Sequence, residues 1–169
     1  MSSARLKAAL INCSPVNSGV RLLCESWPVK LSDMEAWKEK ALDIFPERQA
    51  WIEELLEDDR EGALWFGLLT EFEAAYEKSP IDEDFIRRVY EYAWWCLDPA
   101  LGEDMVSAVV IYFFEQLPTN EAVRRDLPSR MTREEFLGVK ELFRYNLTEE
   151  EYEAFIKEFL EHAKDELTL

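Results

Sequence analysis

Few residues in this chain have the type and spacing that chemistry needs. Its 169 residues include one histidine, His162, four residues after Glu158 and directly after Glu161. A helical di-iron site repeats Glu-x-x-His on two helices. Here the spacing differs and a second histidine is missing. A Ser-His-Asp arrangement would have to use His162 as its base, and the Gly-x-Ser-x-Gly turn that presents such a serine does not occur. His162 therefore reads as a solvated histidine near a helix C-terminus, where a cation suits the helix dipole. The cysteines are Cys13, Cys24 and Cys96, an odd number with no Cys-x-x-Cys pair. That spacing predicts neither a disulfide framework nor a zinc site. Cys96 falls on the apolar stripe of a helix, which favours a buried, inert thiol over a nucleophile. Gly62 and Gly67 bracket Ala63-Leu64-Trp65-Phe66 without completing a phosphate-binding pattern. Gly67, inside a helical run, predicts the close approach of a second helix. No catalytic, cofactor-binding or metal-ligating residue is assigned.

Carboxylates are the abundant group. Asp and Glu total 36 against 19 Lys and Arg, a net charge of −17. The densest run is Glu53, Glu54, Glu57, Asp58, Asp59 and Glu61, which lacks the ligand spacing of an EF-hand loop. It reads as a solvated acidic face or as a contact surface for a basic protein. So negative a chain repels phosphate backbones and anionic membranes. It steers a basic partner, with an on-rate that falls as salt rises. The acidity is uneven. Residues 32–61 hold eleven acidic groups against four basic, 71–104 ten against three, and 147–169 eight against two. Residues 1–31 and 119–145 are slightly basic, and Arg124, Arg125, Arg130 and Arg133 read as ion-pair partners for the acidic helices. The adjacent Trp94 and Trp95 are candidate partner anchors, since Trp is a frequent hot-spot residue, or else second-layer core.

These residues must be carried by helices. Ser32 with Glu35 forms a capping box before Trp37, Ala41, Leu42 and Phe45. Pro46 suits the first turn of a helix bearing Trp51, Ile52, Leu55 and Leu56. Apolar spacing continues over about 61–78 and, after Pro80, over about 82–97, where Asp98-Pro99 ends it. Gly102 opens a helix that runs to Leu117 before Pro118. Its Met105, Val106, Val109, Val110, Ile111, Phe113 and Phe114 point in nearly every direction. A helix apolar all round is buried on all sides, so residues 104–117 are the expected centre of the fold. A short helix over Asn120–Asp126 precedes Pro128. Thr132 with Glu135 caps a helix to about Tyr145, and Thr148 with Glu151 caps the last, to about Glu166.

The pattern predicts an all-α fold, a multi-helix bundle or stacked antiparallel hairpins around the helix at 104–117. Residues 32–169 form one domain. Residues 1–31, with Pro15, Asn17, Gly19 and Pro28, read as a partly irregular appendage containing a short helix near Ala4–Leu10. The apolar run at Ala8–Ile11 is too short for a signal-peptide core, and no run reaches the length of a membrane span. Reduced thiols and a cytoplasmic location are expected.

Three stretches, Leu64–Phe72, Asp82–Leu97 and Val109–Leu117, carry a pattern: an aromatic-Gly step, an acidic helix start, and an aromatic helix closing on Phe114-Glu115-Gln116-Leu117. In this the chain resembles a group of small bacterial all-helical proteins and, through them, immunity-type proteins that neutralise secreted toxins. The resemblance implies a bacterial, non-enzymatic, protein-binding role and carries over no site residue. The leading expectation is such a domain, engaging a basic partner through an acidic face. The alternatives are a structural or scaffold homo-oligomer that buries Trp94 and Trp95 against another subunit, and an enzyme working through carboxylates.

Overall fold

In the computed structural model, residues 31–56 and 61–163 are described, and α-helices linked by short 3-10 and π turns account for their regular structure. Of the expected appendage at 1–31, residues 1–30 lie outside the described residues, as do 57–60 and 164–169, while Leu31 already belongs to the first helix. The side chains of the Ser32–Glu35 capping box also lie outside them.

Helix α1 spans Leu31–Ile44, and Pro46 follows after Phe45. Pro46 opens a 3-10 turn, Pro46–Arg48, that feeds helix α2, Gln49–Leu56. The turn begins with proline because the first helical N–H needs no partner. Helix α3 is Glu61–Glu77 and helix α4 is Glu83–Cys96. The Asp82 carboxylate caps α4 by accepting from the Phe85 N–H at 3.3 Å. After α4, Asp98 caps the turn Pro99–Leu101. Gly102 then takes φ +93°, a conformation that favours glycine. Helix α5 is Glu103–Val109, and helices α6, α7 and α8 are Glu121–Arg130, Arg133–Val139 and Glu149–His162. The two predicted capping boxes that fall within the described side chains, Thr132 with Glu135 and Thr148 with Glu151, are formed.

The helix expected from Thr132 to about Tyr145 ends at Val139 and goes on as the 3-10 turn Lys140–Arg144, and two further segments depart from the sequence expectation. The helix expected to run unbroken to Leu117 leaves α geometry at Val110. Residues Val110–Phe114 form a π turn, in which the Glu115 N–H donates to the Val110 carbonyl at 3.0 Å. The other departure is Pro128, expected to lie beyond a short helix but found inside α6. Proline there removes one donor in the last turns. Burial of Leu127 and the ion pairs of Arg130 with Glu83 and Asp126 act in the opposite direction.

Helix α3 shares the centre of the bundle with the 103–117 segment, packing against α2, α4, α5, the π turn and α6. Its Leu64, Trp65, Leu68, Phe72 and Ala75 are buried on one face. Trp65 stacks on Tyr92 with centroids 5.1 Å apart, and its indole N–H points to the Met105 sulfur at 3.4 Å. Phe113 sits edge-on to Phe72 and Tyr90. The Tyr92 hydroxyl donates to the Trp37 carbonyl at 3.0 Å and so ties α4 to α1. Each such ring, fully buried, contributes roughly 1.5–3 kcal/mol. A second aromatic group, Phe136, Phe143, Phe155 and Phe159, holds α7 and its following 3-10 turn, Lys140–Arg144, to α8.

Gly67 does what its position in the sequence predicts. A Cβ there would lie 2.8 Å from Leu55 Cδ1 and 2.9 Å from Trp51 Cζ2, so α2 packs directly on the α3 backbone. Gly62, one turn earlier, does the same for a different neighbour: a Cβ would meet Tyr112 Cε2 at 2.9 Å.

Candidate protein-binding surface

Among the described residues, most arginines are paired with carboxylates of the same chain. Arg48 pairs with Glu71, Arg88 with Glu47 and Asp84, and Arg130 with Glu83 and Asp126. Arg124 pairs with Glu158 while its guanidinium lies over the Phe155 ring. Several of these contacts join separate helices, so the arginines act as struts. The Arg88 guanidinium holds the Glu47 carboxyl below its ordinary value, and Lys78 does the same for Asp82. Arg124, Arg125 and Arg130 all pair with carboxylates, as their sequence context predicts. Tyr76 joins this network by donating to Asp126 at 2.9 Å.

Glu71 is thereby paired, but around it carboxylates still outnumber bases. From Gln49 to Glu77 the sequence has nine carboxylates, Glu53, Glu54, Glu57, Asp58, Asp59, Glu61, Glu71, Glu73 and Glu77, and one base, Arg60. Of the predicted acidic face, Glu53 and Glu54 stand exposed on α2, and Glu53 accepts from Gln49 Nε2 at 2.7 Å. Glu61 is half-buried in the first turn of α3, where a carboxylate complements the helix dipole. Glu57, Asp58 and Asp59 lie outside the described residues.

Trp94 and Trp95 are both half-buried and packed against the core. Trp94 meets Phe114 edge-on with centroids 5.4 Å apart, and Trp95 lies parallel to Tyr92 at 6.2 Å. They sit on α4 as a second layer, on a different element from Glu53 and Glu54.

The expected burial of the 104–117 helix on all sides does not hold. Met105, Ala108, Val109, Phe113, Phe114 and Leu117 are buried, but Ile111 is 47% exposed and Tyr112 38%. Phe66, on α3, is 63% exposed. These three apolar residues were assigned no surface role by sequence. The only signal was an apolar pattern too wide for one core face, and that pattern reads equally as deeper burial. The π turn resolves it. One extra residue in the turn lets Phe113 and Phe114 both enter the core while Ile111 and Tyr112 face outward.

His162 and Cys96 are placed as the sequence suggested, and Cys13 and Cys24 lie outside the described residues. His162 is exposed at the end of α8. Cys96 is fully buried, and burial pushes its thiol far above the ordinary range. Among the described residues, no three of His, Cys, Asp and Glu are grouped to hold a metal ion. No described helix is long and apolar enough to cross a membrane. A groove of about 520 Å³ runs along α8, with half-buried Ile156 and Leu160 at its base and Lys140, Lys157, Glu153 and Glu161 at its edges. Charges of both signs share that edge, so the groove favours no ligand charge.

Set beside models of known families, curated proteins and solved structures, the chain matches none of them.

Proposed function

We propose that this protein is a non-enzymatic binding domain that engages a basic protein partner through its acidic face, in the manner of an immunity-type protein that neutralises a toxin. The observation that supports this reading is the division of charge. Among the described residues Arg48, Arg88, Arg124 and Arg130 are paired internally, while the segment from Gln49 to Glu77 has nine carboxylates and one base. Exposed Glu53 and Glu54 head that segment on α2. A surface of this kind raises the encounter rate with a cationic partner and discourages anionic ones.

Affinity capture from the native cell tests it, at low and high salt, with the wild-type chain and a Glu53→Gln/Glu54→Gln variant. The expected result is a basic protein held at low salt, reduced in the variant and released by high salt. Failure to retain any protein at low salt would count against the proposal. A scaffold homo-oligomer is the second reading, favoured by the partial exposure of Trp94 and Trp95. Light scattering at micromolar concentration separates the two, because that reading requires a defined oligomer and the first does not.

A further inference from the structure

Helices α6, α7 and α8 with the turns between them, residues 121–162, are one continuous stretch of chain beyond the Leu117–Thr119 turn. A stretch joined to the rest at one point parts from it without breaking any other connection. Its internal support is its own. Phe136, Phe143, Phe155 and Phe159 pack on one another, Arg124 ties α6 to α8 through Glu158, and capping boxes start α7 and α8. The other aromatic group, centred on Trp65, Phe72 and Phe113, holds α3, α4 and the π turn together. Among the described residues, no pair of stacked or edge-on rings joins the two groups.

The two groups meet where α6 lies against α3 and where the Lys140–Arg144 turn lies against the π turn. Four side-chain hydrogen bonds cross this seam. Tyr76 donates to Asp126 at 2.9 Å, Asn120 Nδ2 to Glu73 at 3.3 Å, Arg130 to Glu83, and Asn146 Nδ2 to the Glu115 carbonyl at 3.0 Å. Water replaces each of them when the seam opens, so each contributes far less than its strength in isolation. The Tyr90 hydroxyl is buried beside that of Tyr76, in no geometry that makes a hydrogen bond. A buried hydroxyl without a partner costs stability, and opening relieves that cost. Against opening stands the burial of Val123 and Leu127 on α6, two aliphatic side chains where each aromatic group has several rings. Pro128 takes a backbone donor out of the same helix, which lowers its own stability.

We propose that residues 121–162 form a separate cooperative unit, which leaves this seam and unfolds as one while α1–α5 keep their fold. Contiguous stretches with their own core and a polar boundary are the units in which proteins open below the global unfolding free energy. Opening uncovers Tyr76 on α3 and Tyr90 on α4, which the closed seam holds half-buried and buried. Neither the acidic face nor its partner enters into this opening.

The test is amide hydrogen exchange of the full-length chain, read by mass spectrometry of its peptides in water and in low urea. Helical amides over 121–162 are expected to exchange together, at least about tenfold faster than those over 61–96. Their exchange should also depend less steeply on urea, because a partial opening exposes less surface than global unfolding. Two variants locate the boundary. Asp126→Asn removes the charged acceptor of Tyr76 and is expected to speed exchange over 121–162 about tenfold. Tyr92→Phe removes the hydroxyl bonded to the Trp37 carbonyl, which lies wholly on the other side of the seam. It is expected to speed exchange over 61–96 about fivefold and to leave 121–162 unchanged. A single rate and urea dependence shared by both segments in the wild-type chain overturns the proposal. So does a Tyr92→Phe variant in which both segments speed up alike, since that is the mark of one cooperative unit. Helices α6, α7 and α8 that lose protection one at a time also overturn it. An Asp126→Asn chain with unchanged exchange over 121–162 overturns the seam as the boundary.

Discussion

Phe113 and Ile111 stand two positions apart, and the π turn gives them opposite energetic roles. Phe113 is fully buried, with ring centroids 5.5 Å from Trp65, 5.1 Å from Phe72, 5.6 Å from Tyr90 and 5.4 Å from Phe114. Truncating a buried phenylalanine to alanine costs about 3–5 kcal/mol through lost transfer energy and the cavity left behind. Four aromatic neighbours, each worth about 0.5–1.5 kcal/mol beyond its buried area, place Phe113→Ala at the upper end of that range. A domain of ordinary stability, about 5–15 kcal/mol, loses a large share to this one change. Ile111 is close to half exposed, so its truncation leaves a surface notch that water fills. Alanine also has the better helix propensity, by a few tenths of a kcal/mol. Ile111→Ala is expected to cost about 0.5 kcal/mol or less. Urea unfolding of the full-length variants, followed by far-UV circular dichroism with the denaturant slope as a check on two-state behaviour, measures both. An Ile111→Ala cost above about 2 kcal/mol, the figure for a buried isoleucine, would refute the outward placement of Ile111 and the π turn that produces it.

Carboxylates on opposite sides of their ordinary values should respond oppositely to pH. The folded Glu115 carboxyl is raised by burial. Its contribution is therefore complete in acid and lost as pH rises through the folded value. Glu115→Gln should stabilise the protein at neutral pH and do nothing in acid; a loss of stability at neutral pH would contradict this. Glu47 is lowered by the Arg88 hydrogen bond, so its contribution is present at neutral pH and lost as pH falls through the folded value. Glu47→Gln should weaken the fold at neutral pH, with the difference closing in acid, as measured by thermal melts across that range. Thr148→Ala removes the side-chain acceptor of the α8 capping box and should cost about 0.5–2 kcal/mol in urea unfolding. Cys96 should resist iodoacetamide in the native chain and react after unfolding, read by mass spectrometry of its peptide; native labelling would contradict its burial.

Much of the architecture is legible in local chemistry. Thr132 with Glu135 and Thr148 with Glu151 announce two helix starts, because a capping box needs only residues three apart. Gly67 announces a tight helix contact, because a glycine within a helical run costs stability that close packing offsets. Pro128 misleads for the converse reason. Its local preference is to end a helix, and the contacts of Leu127 and Arg130, made with other helices, outweigh it. The acidic face is legible too, since charge is a property of composition, but which carboxylates remain without a cation depends on where the arginines reach.

By itself, then, the sequence determined an all-α chain, the positions of most helix starts, a buried thiol at Cys96, a solvated His162 and a strong surplus of negative charge. Each of these follows from residue type and from neighbours within one or two turns. Only the tertiary structure decided that Trp94 and Trp95 form a second layer and that Ile111, Tyr112 and Phe66 face outward. Periodicity counts apolar residues around a helix, but it cannot say how many of those directions another helix will cover. At Val110–Phe114 a change of helical register, driven by packing Phe113 and Phe114 together into the core, settled which side chains were left to meet something else.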